Sequence, residues 1–162
     1  MARRVFFSFH YENDITRAMI VRNSWVIRGI KEANFEDKAE FEKIKLQGDQ
    51  AIYKWIDNQL NGTSVTVVLI GEETLSRPFV QYEICESLNR GNGIIGVHIN
   101  NVLNLSGGLS PKGNQHICIG YYNKERPVYF DEIADNIYDY KYDNGYTFMG
   151  NWIEESATKH GK

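Results

Sequence analysis

Ser64-Val65-Thr66-Val67-Val68-Leu69-Ile70 is a nearly unbroken run of apolar, β-branched residues that stops at Gly71. A strand with one face in water alternates polar and apolar positions. A run without alternation marks a central strand covered on both faces, the kind found in parallel sheets. Upstream, Ala51, Ile52, Trp55, Ile56 and Leu60 recur at helical spacing, and Asn61-Gly62 supplies the stop. Downstream, Ser76 and Pro78 open a helix that runs to about Arg90, where Gly91 and Gly93 end it. Ile94-Ile95-Gly96-Val97-His98-Ile99 then reads as a second fully buried strand.

The flanks extend the same alternation. Val5-Phe6-Phe7-Ser8-Phe9 is a short buried first strand, after which Asn13 is placed to cap a helix carrying Ile15, Ala18, Met19 and Arg22. Trp25-Val26-Ile27 reads as a second, short strand, and the charged stretch 31–47 as a long, mobile connection with one helical turn. Residues 101–113 are loop-like. His116 to Tyr122 reads as a fifth strand and Val128-Tyr129-Phe130 as another short one. An aromatic, polar stretch with Tyr138, Tyr140, Tyr142 and Tyr146 follows. Phe148 to His160 reads as a last helix with Trp152 and Ile153 facing inward. The whole is one α/β domain over residues 1–162, a parallel sheet with helices on both faces.

Composition narrows the function. Of the 162 residues 42% are hydrophobic and 24% charged, as in a soluble globular protein. A net charge of −3, with no basic block, argues against nucleic acid and anionic membranes as partners. The apolar run at the start breaks at His10, too short for a signal peptide, and no run is long enough to span a bilayer. The expected location is the cytoplasm. Cys85 and Cys118 read as two reduced thiols in or near the core. The four histidines (His10, His98, His116, His160) lie far apart and never at i, i+4, so no metal site is expected.

In an open parallel sheet, ligands bind beyond the C-terminal strand ends. That directs attention to Ser8–Asp14, Gly71–Phe79 and Ile99–Asn104. No G-x-G-x-x-G follows the first strand, and no G-x-x-x-x-G-K-[ST] occurs, so phosphate cradles of those kinds are unsupported. In the helix after the central strand, Val80, Ile84, Ser87 and Leu88 form the stripe that should face the sheet. Phe79 and Glu83, four apart, share a neighbouring face that looks into the crevice. An aromatic ring beside a carboxylate suits N-glycosidic cleavage. The ring stacks on a base, and the carboxylate stabilises the oxocarbenium-like charge that develops as the bond breaks. The same spacing equally describes a surface Glu beside a core Phe.

Taken together, RVFFSFH (4–10), TSVTVVLIG (63–71), FVQYEI (79–84) and GNGIIGV (91–97) resemble the first strand, central strand, glutamate segment and following strand of TIR domains. The spelling VFFSFHY, VRNSW, TSVTVVLIG, YEI and GIIGVHIN is closest to the TIR-like branch of bacterial Thoeris anti-phage defence. The match covers about residues 3 to 100, and the last sixty residues match loosely.

The resemblance implies a flavodoxin-like fold with a central parallel five-stranded sheet. It also implies an NAD⁺ glycohydrolase or ADP-ribosyl cyclase type of enzyme, with NAD⁺ as substrate and no resident cofactor. Carried over by position, Glu83 is the catalytic residue and Phe79 its aromatic partner, while Ser8, Phe9 and His10 line the pocket from the first strand. His10 stands where some relatives carry Arg. The loop that closes such sites falls within residues 28–50. The implied partners are a separate effector protein reached through a diffusible, ADP-ribose-derived signal, a phage-derived activator, and further copies of the chain in self-assembly. Two alternatives remain open: a non-catalytic TIR interaction module, which has no need of Glu83, and a nucleoside 2-deoxyribosyltransferase-like enzyme.

Overall fold

The computed structural model describes residues 4–26, 32–33, 43–104 and 106–162. Its centre is β3 (Val65–Ile70), buried at all six positions as its sequence requires. β3 pairs in parallel with β1 (Val5–Ser8) along one edge and with β4 (Gly93–His98) along the other. β2 (Glu32–Ala33) joins β1, and β7 (Asn136–Asp139) joins β4, giving a five-stranded parallel sheet in the order β2-β1-β3-β4-β7. The chain steps outward from β1 to β2 and returns to β3 on the other side. The strand order therefore reverses between β1 and β3, and a crevice opens above their C-terminal ends. This is the flavodoxin-like α/β architecture expected from the sequence.

Side chains alternate across β3 and divide the core. Val65, Val67 and Leu69 pack beneath α1 (Tyr11–Val26) and α5 (Gly145–Lys159), against Ala18, Val21 and Ile153. On the other face, Val68 and Ile70 meet Val80 and Ile84 of α3 (Pro78–Asn89), and Phe6 packs on Ile52, Ile56 and Leu60 of α2 (Asp49–Leu60). Thr66 also turns to the α3 face, where its hydroxyl lies 2.6 Å from that of Ser87. Bonding two buried hydroxyls to each other removes the cost of leaving either unpaired.

Several local expectations are corrected. Trp25 and Val26 close α1 rather than forming a strand, and Ile27 lies outside the described residues. α1 begins at Tyr11, its first turn closed by the Asp14 amide donating to the His10 carbonyl, so Asn13 is helical and not the cap. A helical turn at 43–45 falls within the stretch read as a connection. β5 (Cys118–Tyr122) and β6 (Arg126–Tyr129) leave the main sheet and form an antiparallel hairpin of their own. Asn123 and Lys124 at its tip both take left-handed backbone, with φ of 51° and 63°, as tight hairpin turns demand. Phe130 opens a short helix, α4 (Phe130–Ile133), and the fifth sheet strand is β7, inside the aromatic stretch. Leu88 does not face the sheet and is 37% exposed, because Ser87 occupies the inward position of that turn. Among the described residues, no helix is long and apolar enough to cross a membrane.

Gly96 is where the sheet admits Phe130. A methyl group there would lie 2.8 Å from the Phe130 ring and 2.9 Å from Ile70 Cδ1. Gly96→Ala is expected to cost about 1–3 kcal/mol by overpacking, read as a lower urea midpoint at unchanged m-value. Leu88→Ala, its exposed control, should stay within about 0.5 kcal/mol.

Candidate functional site

Pro78 sits at the first turn of α3, where its fixed φ suits the helix and its missing N–H costs nothing. The helix is thereby started so that Phe79 and Glu83, one turn apart, both border the crevice. Lateral bonds hold α3 in this orientation. On one side Tyr82 donates to Asp57 of α2 at 2.7 Å, and Tyr53 of α2 packs on the rings of Tyr82 and Phe79. On the other, Gln81 Nε2 donates to the carbonyls of Leu75 and Cys118, and the Cys85 thiol donates to the carbonyl of Ile119 in the hairpin. Cys85 and Cys118 are free and half-buried, and burial pushes the Cys85 thiol up.

Ser8, the last residue of β1, is fully buried and donates its hydroxyl hydrogen to Glu83 Oε2. That bond joins the end of β1 to α3 across the switch in strand order. Glu83 is half-buried as a residue, but its carboxyl end is withdrawn from water. Burial raises its pKa to about 8, and the Ser8 hydroxyl opposes this only in part. Desolvation penalises the charged form, and no cation sits close enough to compensate. In the empty cleft at neutral pH the carboxyl therefore carries its proton.

The cleft contains about 560 Å³ out to its open mouth, within the ordinary range for small-molecule sites. Phe9, His10, Tyr11 and Glu12 form one wall; Phe79, Val80 and Glu83 form the other. Ile52 and Lys45 close the α2 side, and Arg77 stands at the rim. His10 is 8% exposed, and neither ring nitrogen has a partner among the described residues. Burial first, then the charge of Arg77, lowers its pKa, so the imidazole is neutral. Behind this wall, buried Asp14 accepts from the Thr74 hydroxyl at 3.3 Å, which in turn accepts from the Gly71 amide at 2.8 Å. Burial raises the Asp14 carboxyl despite the Thr74 bond. A side chain at Gly71 would collide with that carboxylate, its Cβ falling 2.2 Å from an oxygen. The turn after β3 is thus locked to the start of α1.

Phe9, His10, Phe79 and Glu83 all line this cleft, with Ser8 directly behind the carboxyl group. The segment Ile99–Asn104 does not. Asn101, Val102 and Leu103 instead border an open groove beside α1 and Tyr140, since β4 lies one strand beyond the reversal. Of the closing loop placed within 28–50, residues 28–31 and 34–42 fall outside the described residues, and Lys45 is the part that reaches the cleft. Tyr11, Glu12, Lys45, Ile52 and Arg77 were missed as lining residues. Arg77 was legible as the residue just before the Pro78 helix start; Lys45 had no local signal.

A flavodoxin-like sheet with an aromatic ring and a buried carboxylate at its reversal point defines a class, the TIR-like α/β proteins. The family described as "Thoeris protein ThsB, TIR-like domain" matches residues 6–104, from β1 through β4, which include every lining residue of the cleft. The chain belongs to this family. A protein of Bacillus cereus (strain MSX-D12), named "Putative cyclic ADP-D-ribose synthase ThsB1", is 44% identical over 124 residues. The aligned part is 75% of this chain and 65% of that relative, so the chain spans just under two thirds of the relative's length.

The raised pKa of Glu83 has a consequence for stability. Between its ordinary value of 4.5 and about 8, the folded chain holds a proton that the unfolded chain has released. Stability from this group is full below the lower value and is lost as pH rises through the upper one, by up to about 1.4 kcal/mol per pH unit. Glu83→Gln should flatten that part of the profile, as measured by urea unfolding at pH 5, 7 and 9.

Proposed function

We propose that the chain is an NAD⁺-consuming enzyme that cleaves the nicotinamide–ribose bond and makes an ADP-ribose-derived signal. The observation that carries this reading is the Glu83 carboxyl, held by Ser8 and withdrawn from water beside Phe79 at the strand-order reversal. The name of the Bacillus relative, a cyclic ADP-ribose synthase, supports the same substrate.

NAD⁺ enters with its nicotinamide against Phe79 or Phe9 and its ribose against Glu83. The glycosidic electron pair leaves with nicotinamide, which departs neutral and needs no proton. Positive charge develops on the ribosyl carbon, and Glu83, ionised as the cationic substrate enters, stabilises it. Adenine of the same molecule captures the cation and releases a proton, which closes a cyclic ADP-ribose isomer; capture by water gives linear ADP-ribose instead. Water exclusion favours ring closure. The product then activates a separate effector in anti-phage defence inside the cell, and a phage-derived trigger and self-assembly of the chain belong to the same reading.

Purified protein incubated with NAD⁺ should release nicotinamide, and Glu83→Gln should reduce the rate by at least about 100-fold. The mass of the second product separates cyclised from hydrolysed ADP-ribose. Full turnover by a folded Glu83→Gln protein would rule this mechanism out. Turnover of deoxynucleosides in place of NAD⁺ would favour a deoxyribosyltransferase.

Catalysis by the ionised form has a pH signature. kcat/KM should fall about tenfold per pH unit below the free-enzyme value near 8. The kcat profile should break at lower pH, because the bound pyridinium charge lowers the carboxyl pKa.

A further inference from the structure

The cleft holds a second set of polar groups that the bond-cleavage chemistry leaves unused. α3 has no side-chain cap at its N-terminus and no acidic residue in its first turn. The leading amides of a helix have no intrahelical acceptor and carry partial positive charge. Pro78 contributes no N–H, so the donors begin at Phe79 and Val80, both of which line the cleft. Arg77, at the cap position, is exposed at the rim, and among the described residues its guanidinium makes no hydrogen bond or ion pair. Opposite stands His10, more than nine-tenths buried, with both ring nitrogens unpartnered. A buried polar side chain without a partner is costly unless something else completes it.

We infer that the start of α3, the Arg77 guanidinium and the His10 imidazole form a phosphoanion subsite that takes the diphosphate of the dinucleotide substrate. Helix N-termini with free amides suit phosphate groups, and arginine adds a planar donor pair matched to phosphate oxygens. A neutral imidazole still donates one N–H to the anion. The carboxylate of Glu12 also borders the cleft, but Lys45 neutralises it at 2.8 Å, leaving Arg77 as the uncompensated charge.

Spacing agrees with this assignment. Glu83 and Phe79 are four residues apart, about 6 Å along the helix axis. A ribose held at Glu83 places its 5′-phosphate at that distance, over the first free amides. The inference rests on the dinucleotide reading above, and it gives that substrate its orientation, with nicotinamide inward and phosphates toward the rim.

The test uses the full chain carrying Glu83→Gln, titrated with inorganic pyrophosphate while the His10 imidazole is followed by NMR. Saturable binding is expected, weakened at least tenfold by Arg77→Gln and weakened by salt. The apparent pKa of His10 should rise on binding, since an anion favours imidazolium over the groups that now surround it: Arg77, Asp14, Glu12 and Glu73. ADP-ribose should displace the pyrophosphate. Arg77 is exposed, so its replacement leaves the fold intact, which a thermal melt checks. Absence of binding, binding indifferent to Arg77→Gln, an unmoved His10 signal, or simultaneous binding of ADP-ribose and pyrophosphate would each overturn the inference. The glutamate reading fails on a separate result, nicotinamide release that survives Glu83→Gln, which the pyrophosphate titration does not touch.

Discussion

β3 is enclosed on every side, and the remaining architecture follows from that confinement. Its backbone pairs with β1 and β4, while its side chains are covered by α1 and α5 on one face and by α3 on the other. Parallel neighbours require crossovers, crossovers place helices over both faces, and the only unoccupied positions are the strand ends. Ser8 terminates β1 at the reversal, and Glu83 comes down to it from the helix that follows β3. One hydroxyl–carboxyl bond thus closes the gap that the topology leaves.

The same bond shows an opposition between folding and chemistry. Glu83 lies where a neutral side chain would be more comfortable, and nothing nearby repays the desolvation of its charge. A residue that destabilises the empty protein in its ionised form, yet is held in place by a buried serine, is what one expects when function and stability compete. Asp14 and the Gly71–Thr74 turn add a second buried carboxyl behind the cleft, so its floor is polar and hydrogen-bonded while its walls are aromatic.

How much of this could be read in advance depended on how local each signal was. β1, β3 and β4 are continuous apolar runs, and their burial on both faces is written into them. β7 was missed because an edge strand with one neighbour needs no such run; Asn136 and Asp139 are acceptable there, and Tyr138 finds its cover by stacking on Trp152 at 3.9 Å. The Cys118–Tyr122 segment had strand character, but nothing local said it would pair with Arg126–Tyr129 and pack on α3 instead of joining the sheet. Trp25 and Val26 are β-formers overruled by the helix they terminate. At the site, the spacing of Phe79 and Glu83 on one helix was legible, and the family likeness supplied Ser8, Phe9 and His10. Lys45 and Ile52 were not legible, because they reach the cleft only through the way α2 packs against α3.

The lateral bonds of α3 bear on how the cleft can deform. Tyr82 ties the helix to α2, Arg90 donates to the Asp57 carbonyl and the Asn61 side chain, and Gln81 and Cys85 tie it to the hairpin. Rotation or sliding of α3 would break contacts on both flanks at once. In mechanical terms it is the fixed jaw of a vice, and Glu83 is mounted on it. The moving jaw is then the opposite side, around Lys45, which is fastened to Glu12 by a surface ion pair that salt readily loosens.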